Sequence, residues 1–234
     1  MEVKPADLRR VNVFKDATDD DLELFVENSI LRMIEEGGFF FFQGDPANYF
    51  YILVSGRAKL LQSNPAGQQV NLRTITEWQM FGALGAVNPN ATYPATAQAL
   101  EPCTALALES SFLHDAMQTR PYLNIGLMQL MTGYIQEIQE RYRELATERV
   151  ERRIAMTVLR LASQIGKRME AKGGMKVELP LSRQDLAEAS GTTIFTVSRV
   201  LADWERRGLV EAGRERVLVR DPHGLVQISE GLDQ

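Results

Sequence analysis

Ser198 and Arg199 stand side by side near the start of a helical stretch, where they supply a phosphate or thymine contact and a bidentate reader of guanine. They belong to Leu181 to Arg220, LSRQDLAEASGTTIFTVSRVLADWERRGLVEAGRERVLVR, whose order of residue types builds a winged helix-turn-helix. Ser182 and Asp185 form a capping box, after which Leu186, Ala187 and Ala189 make one face of a short helix that Gly191 ends. Thr193 caps a second helix, at about 193–207, with Val197, Val200, Leu201 and Trp204 inward. That leaves Thr192, Ile194, Phe195, Thr196, Ser198 and Arg199 facing outward, within reach of base edges. After Gly208, Leu209 to Val210 and Val217 to Val219, broken by Gly213, read as a hairpin wing with Arg214 and Arg216 near phosphates. Duplex DNA is the partner this chemistry fits. The alternative, a packing module with a solvated outer face, needs all of these signals to coincide by accident.

The elements that position these side chains come from the rest of the chain. Its 234 residues suffice for two domains with separate cores. No apolar run is long enough to cross a bilayer, so no membrane partner is expected. Glu2, Lys4, Asp7, Arg9 and Arg10 interrupt any signal-peptide pattern, which gives a cytoplasmic expectation. The net charge of −5 is unevenly spread: residues 1–146 carry 11 Lys and Arg against 18 Asp and Glu, whereas residues 147–234 carry 15 against 13. Acid is thus concentrated away from the DNA-facing end. A lone cysteine, Cys103, excludes an internal disulfide or an all-cysteine iron-sulfur site within one chain, and reads as a small apolar strand residue.

From Arg32 to Glu109, short β-type runs are predicted at Phe39–Phe42, Phe50–Val54, Ala58–Leu61, Val70–Ile75, Thr96–Leu100 and Thr104–Leu108. Turns fall at Gly44-Asp45-Pro46, Ser55-Gly56 and Pro65-Ala66-Gly67, the spacing of a small antiparallel barrel or jelly roll. An amphipathic helix at Asp19 to Ser29 precedes it, with Leu22, Phe25 and Val26 inward. A short helix from Ser111 ends at Arg120-Pro121, and from Tyr122 the pattern is helical for about six turns. Leu127, Met131, Tyr134, Ile138 and Leu145 recur there at spacings of three, four or seven, a stripe suited to a homodimeric coiled coil. The same helix could lie on its own barrel instead, and the stripe is wide enough for both. A hinge is expected near Ala146 to Arg149, before a helix with Ile154, Val158, Leu161 and Ile165 inward. The fold class is therefore α+β, with a β-roll sensor domain at 1–120, a dimerisation helix and hinge at 121–147, and a winged helix-turn-helix at 148–234.

Five landmarks run in order through this frame: Gln43-Gly44-Asp45, Tyr51 to Gly56, Phe81-Gly82-Ala83-Leu84-Gly85, Arg153-Ile154-Ala155 with Leu159 to Ala162, and Ser182 to Asp185 with Thr196-Val197-Ser198-Arg199. From about Phe14 to Val219 the chain resembles the cyclic-AMP receptor protein and fumarate-nitrate reductase regulator (CRP/FNR) family of bacterial transcription factors. The resemblance implies a homodimer joined along the long helix, binding a palindrome with two recognition helices one helical turn apart. It also implies that Thr192, Thr193, Arg183 and Gln184 fix the DNA backbone, that a T-G step survives in each half-site, and that RNA polymerase is a partner if the protein activates. The loop Ala171 to Lys176 is the family-based candidate for that contact.

The family's pattern is broken in two places. Cyclic-nucleotide-binding members hold the ribose with a glutamate in the turn and the phosphate with a downstream arginine and serine, because a buried anion must be paired. Here Ala83 takes the glutamate's place and Tyr93-Pro94 the Arg-Ser place, while Ile138 replaces a base-contacting hydroxyl. Cyclic AMP should bind weakly or not at all. The degenerate effector pocket would comprise Phe81, Gly82, Ala83, Leu84, Tyr93, Pro94, Tyr134 and Ile138, open to haem, a gas or a small apolar ligand, or to nothing. Haem would need axial ligands, and only His114 and His223, with Cys103, Met or Tyr, are available. In the recognition helix, Ile194-Phe195 stands where members carry a pair ending in a cytosine-reading glutamate, so that preference is lost or replaced by contact with a thymine methyl. No catalytic or metal site is expected: a cupin-like oxygenase needs several His and carboxylate ligands on the strands, and neither histidine lies in the strand run. The remaining rival is an interaction module whose winged helix docks protein.

Overall fold

The computed structural model describes residues 3–63, 69–171 and 174–232; the Pro65-Ala66-Gly67 turn and the middle of the Ala171 to Lys176 loop lie outside them. The chain divides into two compact units, residues 1–138 and 139–234. Two 3-10 turns, Pro5–Arg10 and Asn12–Phe14, open the first, followed by α1 (Asp19–Glu27). Thr18 caps α1: its side chain accepts from the Asp21 amide while the Asp21 carboxylate accepts from the Thr18 amide.

The β-roll follows as β1 (Ile30–Ile34), β2 (Phe39–Phe41), β3 (Tyr49–Ser55), β4 (Ala58–Ser63), β5 (Gln69–Ile75), β6 (Met80–Phe81), a short α2 (Leu84–Val87), β7 (Thr96–Ala99) and β8 (Cys103–Glu109). The strands form two antiparallel sheets, ordered β1-β8-β3-β6 and β2-β7-β4-β5. All six predicted strand runs are present. Sequence reading missed β1, whose Ile-Leu-Arg-Met-Ile does not alternate, and the two-residue β6. The two inner strands of the first sheet, β3 and β8, are covered on both faces, which explains why they read as nearly unbroken apolar runs, whereas the edge strand β1 is largely exposed. Phe50, Ile52 and Val54 of β3, with Leu106 and Leu108 of β8, pack against Leu8, Phe14, Leu22, Phe25 and Leu113 of the helical layer. The intervening Tyr51, Leu53, Ala105 and Ala107 point the other way, into the roll.

Two helices complete the frame, α3 (Ser110–Thr119) and α4 (Pro121–Thr147), the latter somewhat longer than the sequence suggests. Arg120 between them donates to the Asp21 carboxylate at 2.5 Å. Burial raises the pKa of Asp21, but hydrogen bonds from Arg120 and Thr18 outweigh it and leave the group below its ordinary value. At Gly126 a Cβ would come within 2.9 Å of the Val13 backbone, so the glycine lets α4 lie close on the 3-10 turn.

The second unit contains the end of α4, then α5 (Val150–Ile165), β9 (Lys167–Ala171), β10 (Gly174–Leu179), α6 (Arg183–Ser190), α7 (Ile194–Arg206), β11 (Val210–Ala212), β12 (Val217–Val219) and α8 (Pro222–Glu230). Its core joins Ile154, Val158, Leu186, Val197, Leu201, Trp204, Val219 and Leu225. The wing is larger than the expected hairpin. Val177 of β10 pairs with Val219 and Leu179 with Val217, making one antiparallel sheet ordered β11-β12-β10-β9. Charged residues in Lys167 to Glu178 hide that second hairpin from periodicity.

Candidate nucleic-acid interface

Local chemistry builds the helix-turn-helix as the sequence predicts. Ser182 caps α6, with its hydroxyl accepting from the Asp185 amide at 3.1 Å and donating to the Asp185 carboxylate at 2.6 Å. Gly191 ends α6 in the left-handed conformation, at φ +63°. Arg153 of α5 braces the turn by donating to the Ser190 and Gly191 carbonyls at 3.4 and 3.3 Å. Thr193 then caps α7, its hydroxyl accepting from the Thr196 amide at 3.2 Å. Trp204, fully buried, anchors the far end by donating from Nε1 to Glu151 at 2.9 Å.

With Val197, Val200, Leu201 and Trp204 all buried, an advance of about 100° per residue fixes the opposite face of α7. Its outermost line is Phe195, Arg199, Ala202 and Arg206, all exposed. Ser198 and Thr196 flank that line and are half-buried, as is Thr192; Thr193 and Ile194 are exposed at the helix start. Ala202 and Arg206 are additions that a full turn-by-turn projection of the sequence would have found. Arg206 is tied to Asp203 at 2.7 Å.

The residues expected to hold the DNA backbone differ among themselves. Arg183 is half-buried, and Gln184 is exposed but donates to Glu188 at 2.8 Å. In the wing, Arg214 is exposed, whereas Arg216 lies 3.7 Å from Glu178 and 3.6 Å from Glu211. The two wing arginines thus differ: Arg216 is shared with carboxylates that pairing of β10, β11 and β12 brings beside it. Arg220, which sequence reading passed over, also donates to Glu211, and this bond holds that exposed carboxyl below its ordinary pKa.

The dimer stripe on α4 also needs correction. Leu127 is buried in the core of the first unit with Leu123, and Tyr134 is half-buried, donating from its hydroxyl to the Met80 carbonyl at 3.2 Å. The Arg73 guanidinium sits 4.0 Å over the Tyr134 ring and 4.0 Å from the Glu137 carboxylate. These two positions face the chain's own roll, because α4 is apolar around much of its girth and the roll claims one side. Met131, Ile138 and Leu145 are exposed, and with Met128, Ile135 and Tyr142, also exposed, they form a run spaced 3-4-3-4-3.

Inside the roll, rings occupy the volume that five core alanines on the strands leave. Phe41 stacks on Tyr93 with centroids 3.7 Å apart, and Phe81 lies 5.3 Å from Tyr51 and 5.2 Å from Phe40. The Tyr93 hydroxyl donates to the Tyr49 carbonyl at 2.6 Å, and burial pushes its pKa up to about 12. Of the expected pocket residues, Phe81, Ala83 and Tyr93 are buried, Gly82 turns the chain at φ +77°, and Leu84, Pro94 and Ile138 face solvent. A cleft of about 430 Å³ opens elsewhere, lined by Asn48, Tyr49, Ser110, His114 and Asp115 among others. Within it, His114 Nδ1 donates to the Ala86 carbonyl at 2.9 Å. Cys103 is buried in the roll, its thiol donating to the Arg57 carbonyl. His223 lies on α8, beyond the wing. Among the described residues no three His, Cys, Asp or Glu side chains converge as a metal site, and no helix is long and apolar enough to cross a membrane.

Comparison with known proteins matches residues 31–120 to the cyclic nucleotide-binding domain and residues 152–228 to the Crp-like helix-turn-helix domain. The global nitrogen regulator of Synechococcus elongatus is 28% identical over 200 residues, covering 84% of this chain and 88% of its own. The transcriptional activator protein anr of Pseudomonas aeruginosa is 28% identical over 91% of this chain and 84% of its own. The solved c-di-GMP responsive global regulator CLP of Xanthomonas campestris shares the fold, with a TM-score of 0.76 at 21% identity over 85% of this chain and 97% of that one.

Proposed function

The chain belongs to the CRP/FNR family of DNA-binding transcription regulators, and from that premise we propose that it works as a homodimer on a palindromic promoter site. Two copies join along the exposed seam of α4, and each offers α7 to one of two successive major grooves. The observation that carries this reading is the position of Arg199, exposed and opposite the buried Val197–Trp204 face, on a helix capped by Thr193 and anchored by Trp204. Arg199 reads guanine, Ser198 contacts the adjoining thymine or phosphate, and Thr192, Thr193, Arg183, Gln184 and Arg214 hold the backbone. The family is one of regulators, not enzymes. Acting on the chromosome, the protein works in the cytoplasm, and RNA polymerase is its further partner where it activates.

The residues present do not fit cyclic AMP. Ala83 offers no carboxylate to a ribose hydroxyl, no guanidinium stands at Tyr93-Pro94 for the phosphate, and stacked rings take the space. The ring-filled roll favours a regulator that binds DNA without that nucleotide. The direct test is Arg199→Ala on a selected site and on random duplex. A loss of about 1–3 kcal/mol confined to the selected site supports guanine reading; equal loss on both refutes it.

A further inference from the structure

At 83% exposure, Phe195 is the most open large apolar side chain among the described residues. It sits on the first turn of α7, one turn before Arg199 on the same outermost line, with Ile194, 38% exposed, beside it. A phenyl ring offers base edges neither a donor nor an acceptor. In the major groove the one apolar group a DNA base presents is the C5-methyl of thymine, every other distinguishing group being polar. 5-Methylcytosine carries the same methyl on the same ring carbon. We infer that Phe195 makes this protein a reader of 5-methylpyrimidines, preferring thymine to uracil and methylated to unmethylated cytosine at one position in each half-site. The inference rests on the DNA reading above and names what that surface selects.

The helix sets where the methyl lies. Phe195 and Arg199 are four positions apart, a rise of about 6 Å along α7 at 1.5 Å per residue. The methylated pyrimidine therefore falls in the same half-site as the guanine that Arg199 reads. Regulation by cytosine methylation of the site follows without any ligand in the roll.

The test uses the full chain and a duplex selected from a randomised pool, resynthesised with each thymine replaced singly by deoxyuridine. A second set places cytosine or 5-methylcytosine, paired with guanine, at the same positions. At one position per half-site, removing the methyl should weaken binding about fourfold, the equivalent of ~0.8 kcal/mol for one buried methyl group. Phe195→Ala, at an exposed position that does not hold the fold, should abolish that sensitivity. Arg199-dependent binding that ignores every methyl overturns the inference and leaves the DNA reading standing. Methyl sensitivity that persists in Phe195→Ala overturns the role of this ring. Failure of the wild-type chain to select any duplex removes the DNA reading, and the inference with it.

Discussion

Ile138→Ala isolates the proposed seam from the fold, because Ile138 is 66% exposed and supports little within its own chain. Fully burying an isoleucine contributes about 1.5–3 kcal/mol, so its open two-thirds leaves about 1–2 kcal/mol to be gained when a second copy covers it. Twofold symmetry repeats the contact. The expected cost is thus about 2–4 kcal/mol per dimer, or self-association weaker by about 30- to 700-fold. Sedimentation velocity over a concentration series measures it directly. Leu127→Ala is the matched control: at 6% exposure it belongs to the core of the first unit, so the loss of about 2–5 kcal/mol should fall on thermal stability. Below its melting temperature, Leu127→Ala should self-associate like the parent. A wild-type monomer at every concentration, or a Leu127 variant that dissociates more readily than the Ile138 variant, refutes this assignment of the helix faces.

Other perturbations probe the remaining elements. Ser182→Ala removes both hydroxyl bonds of the α6 cap, leaving only the residue 182 amide on Asp185, and should lower stability by about 1 kcal/mol in denaturant titration; an unchanged midpoint would make the hydroxyl irrelevant. Burial raises the pKa of Tyr93 from 10.0 to about 12, so the stability it contributes is whole below pH 10 and is lost as pH rises through about 12. Tyr93→Phe should therefore show a shallower decline in stability over that alkaline window, and an identical slope would rule the linkage out. Saturating cyclic AMP should leave the melting temperature where it was; a rise of several degrees would mean that the rings rearrange to admit it.

The winged helix was legible because its signals are local. Ser182 and Thr193 cap helices within three residues of themselves, Gly191 supplies the left-handed turn, and Val197 to Trp204 repeat with the helical period. The strands of the roll were legible for a related reason, since glycine and proline mark their ends. Both depend on interactions that close over a few residues. What the sequence could not decide is which partner lies across from a given face. On α4, Leu127 and Met128 are apolar neighbours, yet one is buried in the core of the first unit and the other is 61% exposed, because neighbours as distant in sequence as Val13 decide which side of the helix is covered. The pairing of β10 with β12, which brings Glu178 beside Arg216, joins segments about 40 residues apart, and the ring stack in the roll joins Phe41 to Tyr93. Such long-range pairings are chosen by how whole surfaces fit, and only the folded chain brings those surfaces together.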